Sequence, residues 1–237
     1  QLHRGRRAIG SRAASEDVLG QLPQRMAEIG AHLERCGFPM YQNTQVEYFS
    51  VGDEMFPRLI QDLQQAKHYI FMEYFIVTDS YMWRSILDIL KLKASQGVEV
   101  RFMYDGMCTL ALLPYGYYKE LENMGIKSRP FSQIKPVLST VQNNRDHRKI
   151  LIVDGKTAFT GGINLADEYI DKLDRFGHWK DTAVMIKGDA VWNFTMMFLQ
   201  MWETFDDEKE SSNYNKFRPE KYRDEIIQSS GYVMPYG

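Results

Sequence analysis

The sequence predicts an α/β sandwich in which a mixed β-sheet is flanked by helices. Short, strongly apolar runs such as 69–77 and 150–153 have the composition of buried strands. These runs alternate along the chain with longer segments of helical period, and such alternation favours this architecture. A length of 237 residues with 44% hydrophobic content is enough for one globular domain.

The first part of the chain predicts a helical segment followed by alternating strands and helices. Residues 15–35 have helical period, with Ser15 suited to begin a helix and Pro23 suited to break it in two. A helix over 53–66 carries its apolar residues on one stripe. The further elements predicted up to residue 131 are strands over 46–50, 69–77, 98–104 and 126–131, and helices over 80–96 and 115–124.

The second part begins with residues 132–144, which show no clear period and are predicted to form a loop. The dipeptide Asp154-Gly155 is then predicted to be the turn of a hairpin. The elements predicted in this part are strands over 147–153, 157–160 and 182–186, a helix that starts near 165, and a long aromatic and methionine-rich helix over 190–205.

The strongest chemical signal is the spacing of His147, Lys149 and Asp154, written His-x-Lys-x4-Asp. Because side chains alternate along a strand, His147 and Lys149 are predicted to point the same way. Imidazole can be a nucleophile or an acid near neutral pH, and an ammonium group can hold phosphoryl oxygens. The position of Asp154 at the turn predicts a supporting role rather than proton transfer. The pattern favours attack on a phosphate; the alternative is a buried strand with a basic edge and no chemistry.

A second signal is Gly161-Gly162-Ile163-Asn164, which follows a predicted strand and precedes a predicted helix start. Glycines let the backbone approach a ligand, and free amides at a helix N-terminus favour an anion. Asn164 can donate its amide to phosphate, or it can only cap the helix, and the two roles are compatible.

Three further positions are candidates. Asp181, at the start of a predicted strand, can accept a hydrogen bond from the far nitrogen of His147 and fix its tautomer. His178 and Trp179 would then line the mouth of the site. Glu73 lies inside an aromatic strand, where an unpaired carboxylate is costly, so it is predicted to have a basic partner on the catalytic side.

The spacing His-x-Lys-x4-Asp with a following Gly-Gly-x-Asn resembles the phospholipase D superfamily. Residues 177–182 resemble the Gly-His-Trp-Arg-Asp-Thr segment of cardiolipin synthases, with Lys180 in place of arginine. From about residue 40 onward the chain resembles the N-terminal half of bacterial cardiolipin synthases, which carries the first such motif. Other stretches with this resemblance are 73–75, 97–101, 143–149 and 198–202. After Asp105 the sequence departs from the family pattern, so the role of Asp105 stays open.

The resemblance implies a phospholipase D-like fold and transfer of a phosphatidyl group between two phosphatidylglycerols, through a phosphohistidine and with release of glycerol. It implies catalytic roles for His147, Lys149, Asp154 and Asp181. It also implies phosphate or substrate contacts for a second set of residues, namely Glu73, Gly161, Gly162, Asn164, His178 and Trp179. The family site uses one histidine from each half. The partner is therefore expected to be the missing second half or a second copy of the chain.

The predicted domains are a basic segment with an N-terminal helix at 1–40, a catalytic domain at 41–205, and a linker with the start of a truncated second domain at 206–237. The resemblance implies a parent protein in the bacterial cell membrane, with its catalytic domain on the cytoplasmic side. No run in this sequence approaches the length of a transmembrane helix. The first twelve residues are basic and carry four arginines, Arg4, Arg6, Arg7 and Arg12. This segment is either a disordered tail or a juxtamembrane segment that meets anionic lipid.

Net charge and cysteine content indicate which partners, metals and cofactors are to be expected. The net charge of -2 offers no broad basic field, so nucleic acid is not expected. The two cysteines have no metal-ligand spacing, and neither a metal nor a cofactor is predicted. Two alternatives remain open: a homodimeric single-motif phosphodiesterase or nuclease of the same superfamily, and a non-catalytic lipid-binding half.

Overall fold

The computed structural model describes residues 16–107, 109, 111–131, 145–175, 177–205, 213–222, 226–229 and 231–236. The helices found in this part are α1 (Glu16–Gln21), α2 (Gln24–Arg35), α3 (Gly52–Gln65), α4 (Tyr81–Ser95), α5 (Tyr117–Asn123) and α6 (Val191–Glu203). The strands are β1 (Thr44–Phe49), β2 (Tyr69–Tyr74), β3 (Glu99–Asp105), β4 (Lys127–Phe131), β5 (Ile150–Val153), β6 (Thr157–Gly161) and β7 (Ala183–Gly188).

The strands of the described residues form one seven-stranded sheet in the order β1-β7-β6-β5-β2-β3-β4. Strand β2 runs parallel to β3, and β3 runs parallel to β4. Strand β2 runs antiparallel to β5, with Ile70 opposite Val153 and Glu73 opposite Ile150. The sheet is therefore mixed, and the predicted α/β class with flanking helices is confirmed.

One face of β2 lies in a continuous apolar core. Ile70, Met72 and Tyr74 belong to this core together with the buried apolar side chains of α3 and α4. Successive side chains of a strand point to opposite faces, so Glu73 lies on the other face of the sheet. Each buried leucine or isoleucine of such a core stabilises the fold by about 1.5–3 kcal/mol. This packing holds the carboxyl end of β2, where the candidate site lies, on a rigid element.

The chain divides into two compact units. The unit with the candidate site comprises Glu47–Asp154 and Ala158–Met185. The other is formed by Gln1–Val46, Gly155–Thr157 and Ile186–Gly237.

Within the second of these units, an isolated bridge joins Tyr41 and Val233. The amide of each bonds the carbonyl of the other, with N···O distances of 2.8 and 2.9 Å. The Gln42 amide donates to the Tyr232 hydroxyl at 2.6 Å. Residues 232–233, predicted to open a second domain, thus pair with residues 41–42.

Several predicted boundaries differ from the structure. Strand β2 ends at Tyr74 rather than at residue 77, and β5 begins at Ile150 rather than at 147. The helix predicted near 165 is only a 3-10 turn, Asp167–Ile170. The predicted break at Pro23 is confirmed, since α1 ends before it and α2 begins after it. Ser15 and the predicted loop over 132–144 lie outside the described residues.

Among the described residues, no helix combines the length and apolar character that crossing a membrane requires. No group of three His, Cys, Asp or Glu side chains among these residues could hold a metal ion.

Candidate active site

The candidate site lies where β2 ends and β5 begins. Because the two strands are antiparallel, the segment that leads into Ile150 lies beside the carboxyl end of β2. Residues 145–149 of that segment have no regular secondary structure. The prediction that strand alternation aligns His147 and Lys149 is therefore wrong, because neither residue is in a strand.

The two side chains nevertheless meet at one aromatic ring. The imidazole of His147 lies with its centroid 4.6 Å from that of the Phe75 ring. The Lys149 ammonium lies 5.1 Å from the same Phe75 centroid, and it donates to the His147 carbonyl at 2.6 Å. His147 is exposed, whereas only 5% of the surface of Lys149 is accessible. The site thus pairs an accessible imidazole with a largely buried positive charge.

Arg148, which lies between His147 and Lys149 in the sequence, contacts other side chains. Its Nη2 lies 2.6 Å from Oε1 of Glu73, a distance typical of an ion pair, although the angles do not meet those of a hydrogen bond. Its Nε donates to Asp146 Oδ1 at 3.1 Å. The buried carboxyl of Glu73 therefore has the basic partner that its burial requires. Burial is the main cause that raises the pKa of Glu73 well above its usual value; contact with Asp146 adds to this and Arg148 opposes it.

Asp105, whose role the sequence left open, anchors the other end of the same segment. Its Oδ1 accepts from Nη1 of Arg145 at 3.2 Å and from the Met107 amide at 3.0 Å. Asp105 is the last residue of β3 and is fully buried. Arg145 and Arg148 therefore tie the segment around His147 to two neighbouring parallel strands.

Asp154 lies at the far end of β5 from His147. Its Oδ2 accepts from the Lys67 amide at 2.8 Å, and its Oδ1 accepts from the amides of His68 and Tyr69 at 2.7 and 2.8 Å. At roughly 3.3 Å per strand residue, Asp154 is on the order of 16 Å along the chain from Lys149. The structure does not bring Asp154 to the other motif residues.

The two glycines of the Gly-Gly-x-Asn stretch allow close packing within the site unit. Gly161 has a φ of 154°, and a Cβ there would lie 2.3 Å from the Thr182 carbonyl oxygen. A Cβ on Gly162 would lie 1.9 Å from Oδ1 of Asp181. That same oxygen accepts from the Thr182 amide at 2.8 Å. Among the described residues no hydrogen bond joins Asp181 to His147, because the Asp181 carboxylate packs on Gly162 instead.

Asn164 joins two segments of the site unit and is only 3% exposed. Its Oδ1 accepts from the Ile76 amide at 3.0 Å, and its Nδ2 donates to the Tyr169 hydroxyl at 2.8 Å. It does not cap the following turn, since Ala166 occupies the cap position of Asp167–Ile170.

His178 and Trp179 belong to a loop that Asp171 closes. Asp171 Oδ2 lies 2.5 Å from Nδ1 of His178, and its Oδ1 accepts from the Trp179 amide at 3.1 Å. The bond from the Trp179 amide, followed by the His178 contact, lowers the pKa of Asp171. The Trp179 ring lies 5.2 Å from the ring of Tyr169, which in turn bonds Asn164. Through Tyr169 and Asn164, the loop is therefore connected to Ile76, the residue that follows Phe75.

Sequence reasoning missed Phe75, Asp146, Arg148 and Asp171 as parts of the site. A hint was present for Arg148, because a buried Glu73 requires a cation and Arg148 is the basic residue between His147 and Lys149. Phe75 gave no hint of its own, since it is one of many aromatic residues in an apolar run. Among the described residues, no hydrogen bond reaches the His147 imidazole, and the residue is exposed.

Comparison with known proteins identifies similar chains. A family model described as cardiolipin synthase, phospholipase D-like domain, matches residues 59–202. An uncharacterized protein of Streptococcus mutans serotype c is 49% identical over 213 residues, which are 90% of this chain and 45% of that protein. Cardiolipin synthase 2 of Bacillus anthracis is 41% identical over 160 residues, which are 67% of this chain and 31% of that protein.

A solved structure shares the fold. Phosphatidylserine synthase of Haemophilus influenzae superposes with a TM-score of 0.56 at 15% identity, over 87% of this chain and 50% of that one. The chain spans less than half the length of the two curated relatives above, at 45% and 31%.

Proposed function

This chain belongs to the family of cardiolipin synthase, phospholipase D-like domains, and from that premise we propose that it supplies the nucleophilic half of a phosphatidyltransferase site. The observation that carries the proposal is the accessible His147 imidazole beside the Lys149 ammonium at the end of β2. An imidazole with free nitrogens can attack phosphorus, and an adjacent cation can stabilise the charge that develops on the phosphoryl oxygens.

The proposed reaction has two displacements. A ring nitrogen of His147 bonds to the phosphorus of one phosphatidylglycerol, the bond from phosphorus to the glycerol oxygen breaks, and that oxygen takes a proton from a second acid. The hydroxyl oxygen of a second phosphatidylglycerol then bonds to this phosphorus, the phosphorus–nitrogen bond breaks and frees His147, and the hydroxyl proton passes to the group that gave up its proton in the first step. Lys149 contacts a non-bridging oxygen in both steps. Splitting one difficult displacement into two easier ones is the advantage of covalent catalysis.

The second acid is proposed to be a histidine of a second phospholipase D-like half or of a second copy of this chain. The single His-x-Lys-x4-Asp motif of the sequence, at 147–154, supports a half-site. The name of the cardiolipin synthase relative supports a phospholipid substrate over a nucleic acid. We further propose that His178, Trp179 and the Gly161-Gly162 stretch border the substrate, and that Asp154 and Asp181 act by supporting the loops around it.

A phosphodiester with 4-nitrophenol as leaving group tests the proposed nucleophile without the second acid, because nitrophenolate leaves unprotonated. We expect the chain to release a burst of nitrophenolate approaching one equivalent and then to turn over slowly. His147→Ala should abolish the burst, and Lys149→Ala should slow it by on the order of 10²-fold, as loss of one electrostatic donor does.

The matched control is His32→Ala, because His32 is an exposed histidine on α2 in the other compact unit. It should leave the burst unchanged. A burst that persists in His147→Ala would refute the assignment of the nucleophile. No burst in the wild-type chain, together with retained binding to phosphatidylglycerol vesicles, would support a lipid-binding half instead.

A further inference from the structure

Phe75 is the side chain that contacts both of the proposed catalytic groups. Its ring lies 4.6 Å from the His147 ring, at an interplanar angle of 58°. The Lys149 ammonium lies 5.1 Å from the same ring, within the range in which a cation is attracted to an aromatic face. Phe75 is partly buried and follows directly after β2.

The ring contact is important because little else holds the imidazole. Among the described residues, no hydrogen bond reaches a ring nitrogen of His147, and Asp181 bonds elsewhere. An imidazole without such a bond is oriented by packing. A tilted pair of rings at this separation is in packing contact, and such a contact is favourable. The rotamer of His147 therefore depends on where Phe75 lies.

The position of Phe75 is itself fixed by the Gly-Gly-x-Asn stretch. The Ile76 amide donates to Asn164 Oδ1 at 3.0 Å, and the Leu165 amide donates to the Ile76 carbonyl at 3.1 Å. An isolated parallel bridge then joins Val77 to Leu165. After Tyr74 the chain therefore pairs with residues 164–165 instead of with β5. This change of partner explains why β2 ends at Tyr74.

We infer that Phe75 is a positioning residue that holds both His147 and Lys149 in the attacking arrangement, and that Asn164 holds Phe75 through the Ile76 amide. The inference rests on the proposed function, since it assigns a role in the proposed attack on phosphorus. It gives buried Asn164 a task that needs no contact with substrate. It also gives the aromatic residue after β2 a task beyond core packing.

Nuclear magnetic resonance of the histidine Cε1 protons tests the contact without reference to catalysis. The chain has five histidines, and a His147→Asn variant identifies the resonance of His147. An aromatic ring shifts the resonance of a proton held near it. We therefore expect Phe75→Leu to move the His147 resonance toward its solvent-exposed value and Phe75→Tyr to retain it. Phe56→Leu is the matched control, because Phe56 is also partly buried but packs against Tyr81.

The rate of the nitrophenolate burst tests the positioning role. Phe75→Leu should slow the burst by on the order of 10²-fold, as misplacement of a reacting group does, while its amplitude stays unchanged because the nucleophile is still present. Phe75→Tyr should restore the rate. Unmoved resonances of the other histidines would show that the Phe75→Leu chain is folded.

Each outcome decides a separate point. An unmoved His147 resonance in Phe75→Leu would overturn the contact, and a moved resonance with a wild-type burst rate would overturn the positioning role. An unmoved resonance in Asn164→Ala would overturn the part assigned to Asn164. Failure of the proposed function is distinguishable, because the burst would then be absent or insensitive to His147→Ala whatever residue stands at 75.

Discussion

The carboxyl group of Glu73 has no solvent exposure, and it lies next to the backbone that carries His147. One guanidinium, that of Arg148, contacts both Glu73 and Asp146. Burial disfavours the charged form of a carboxyl group and is the main cause that raises the pKa of Glu73, and contact with Asp146 raises it further. The contacts of its guanidinium with Glu73 and Asp146 hold Arg148 in place between His147 and Lys149.

Replacing Glu73 by glutamine is expected to change how stability depends on pH. Above the usual value of 4.5, an unfolded Glu73 loses its proton whereas the folded chain retains it until its raised pKa. The folded state then binds more protons, so wild-type stability falls as the pH rises through this window. Glu73→Gln should lack this fall, because glutamine has no proton to lose in this range. Urea unfolding at a series of pH values measures the difference.

The glutamine amide can preserve the geometry, because it has the shape of the carboxyl group and can place its oxygen toward Arg148 and its nitrogen toward Asp146. At low pH the two chains should therefore be equally stable. Glu122→Gln, an exposed change on α5, is the control and should run parallel to wild type. Parallel curves for Glu73→Gln and wild type would contradict the raised pKa.

At the scale of elements, the turn after β5 organises the start of β2. The Asp154 side chain accepts from the amides of Lys67, His68 and Tyr69, which precede or begin that strand. Asp154 also has a positive φ of 52°, a conformation that aspartate and asparagine tolerate better than most residues. The motif aspartate is thus joined to the histidine through the length of β5 and the pairing of β5 with β2.

Removal of this carboxylate should destabilise the start of β2. Asp154→Ala removes the acceptor of three amides, of which that of Tyr69 is in a buried residue, and a buried donor left unsatisfied costs about 1–3 kcal/mol. We expect a loss of about 1–3 kcal/mol in urea unfolding, together with faster hydrogen exchange at Lys67, His68 and Tyr69. Asp154→Asn keeps one oxygen and tolerance of the positive φ, so it should lose less. Equal stability of the alanine variant and wild type would contradict this role.

At the scale of the whole molecule, the proposed reaction needs a second acid in addition to His147. Glycerol is a poor leaving group unless it is protonated. We propose that the proton for a natural substrate comes from another half or another copy. General acid catalysis of this kind contributes about 10²–10⁴-fold.

Turnover of phosphatidylglycerol vesicles should therefore depend on more than the first power of the chain concentration. We expect the initial rate, followed by mass spectrometry of the lipid products, to rise nearly as the square of concentration while sedimentation shows a monomer in excess. An excess of His147→Ala chain should reduce the wild-type rate by forming mixed pairs. A rate strictly proportional to concentration from a monomeric sample would refute the half-site.

Local patterns in the sequence determined the class of fold, the break at Pro23 and the family to which the chain belongs. Each of these follows from neighbouring residues: alternating apolar periods, a residue that cannot continue a helix, and the spacing from His147 to Asn164. The same patterns predicted that Glu73 needs a cation, but they could not name Arg148. They also placed His147 and Lys149 in a strand that begins only at Ile150.

The tertiary structure decided which groups meet. Asn164 reaches the Ile76 amide across 88 positions of sequence, and Asp154 reaches the Lys67 amide across 87. Such contacts depend on the pairing of β2 with β5 and on the change of partner after Tyr74, which no local period encodes. The physical reason is that a period reports only the burial of a side chain, whereas a hydrogen bond or ring contact depends on the register between distant segments.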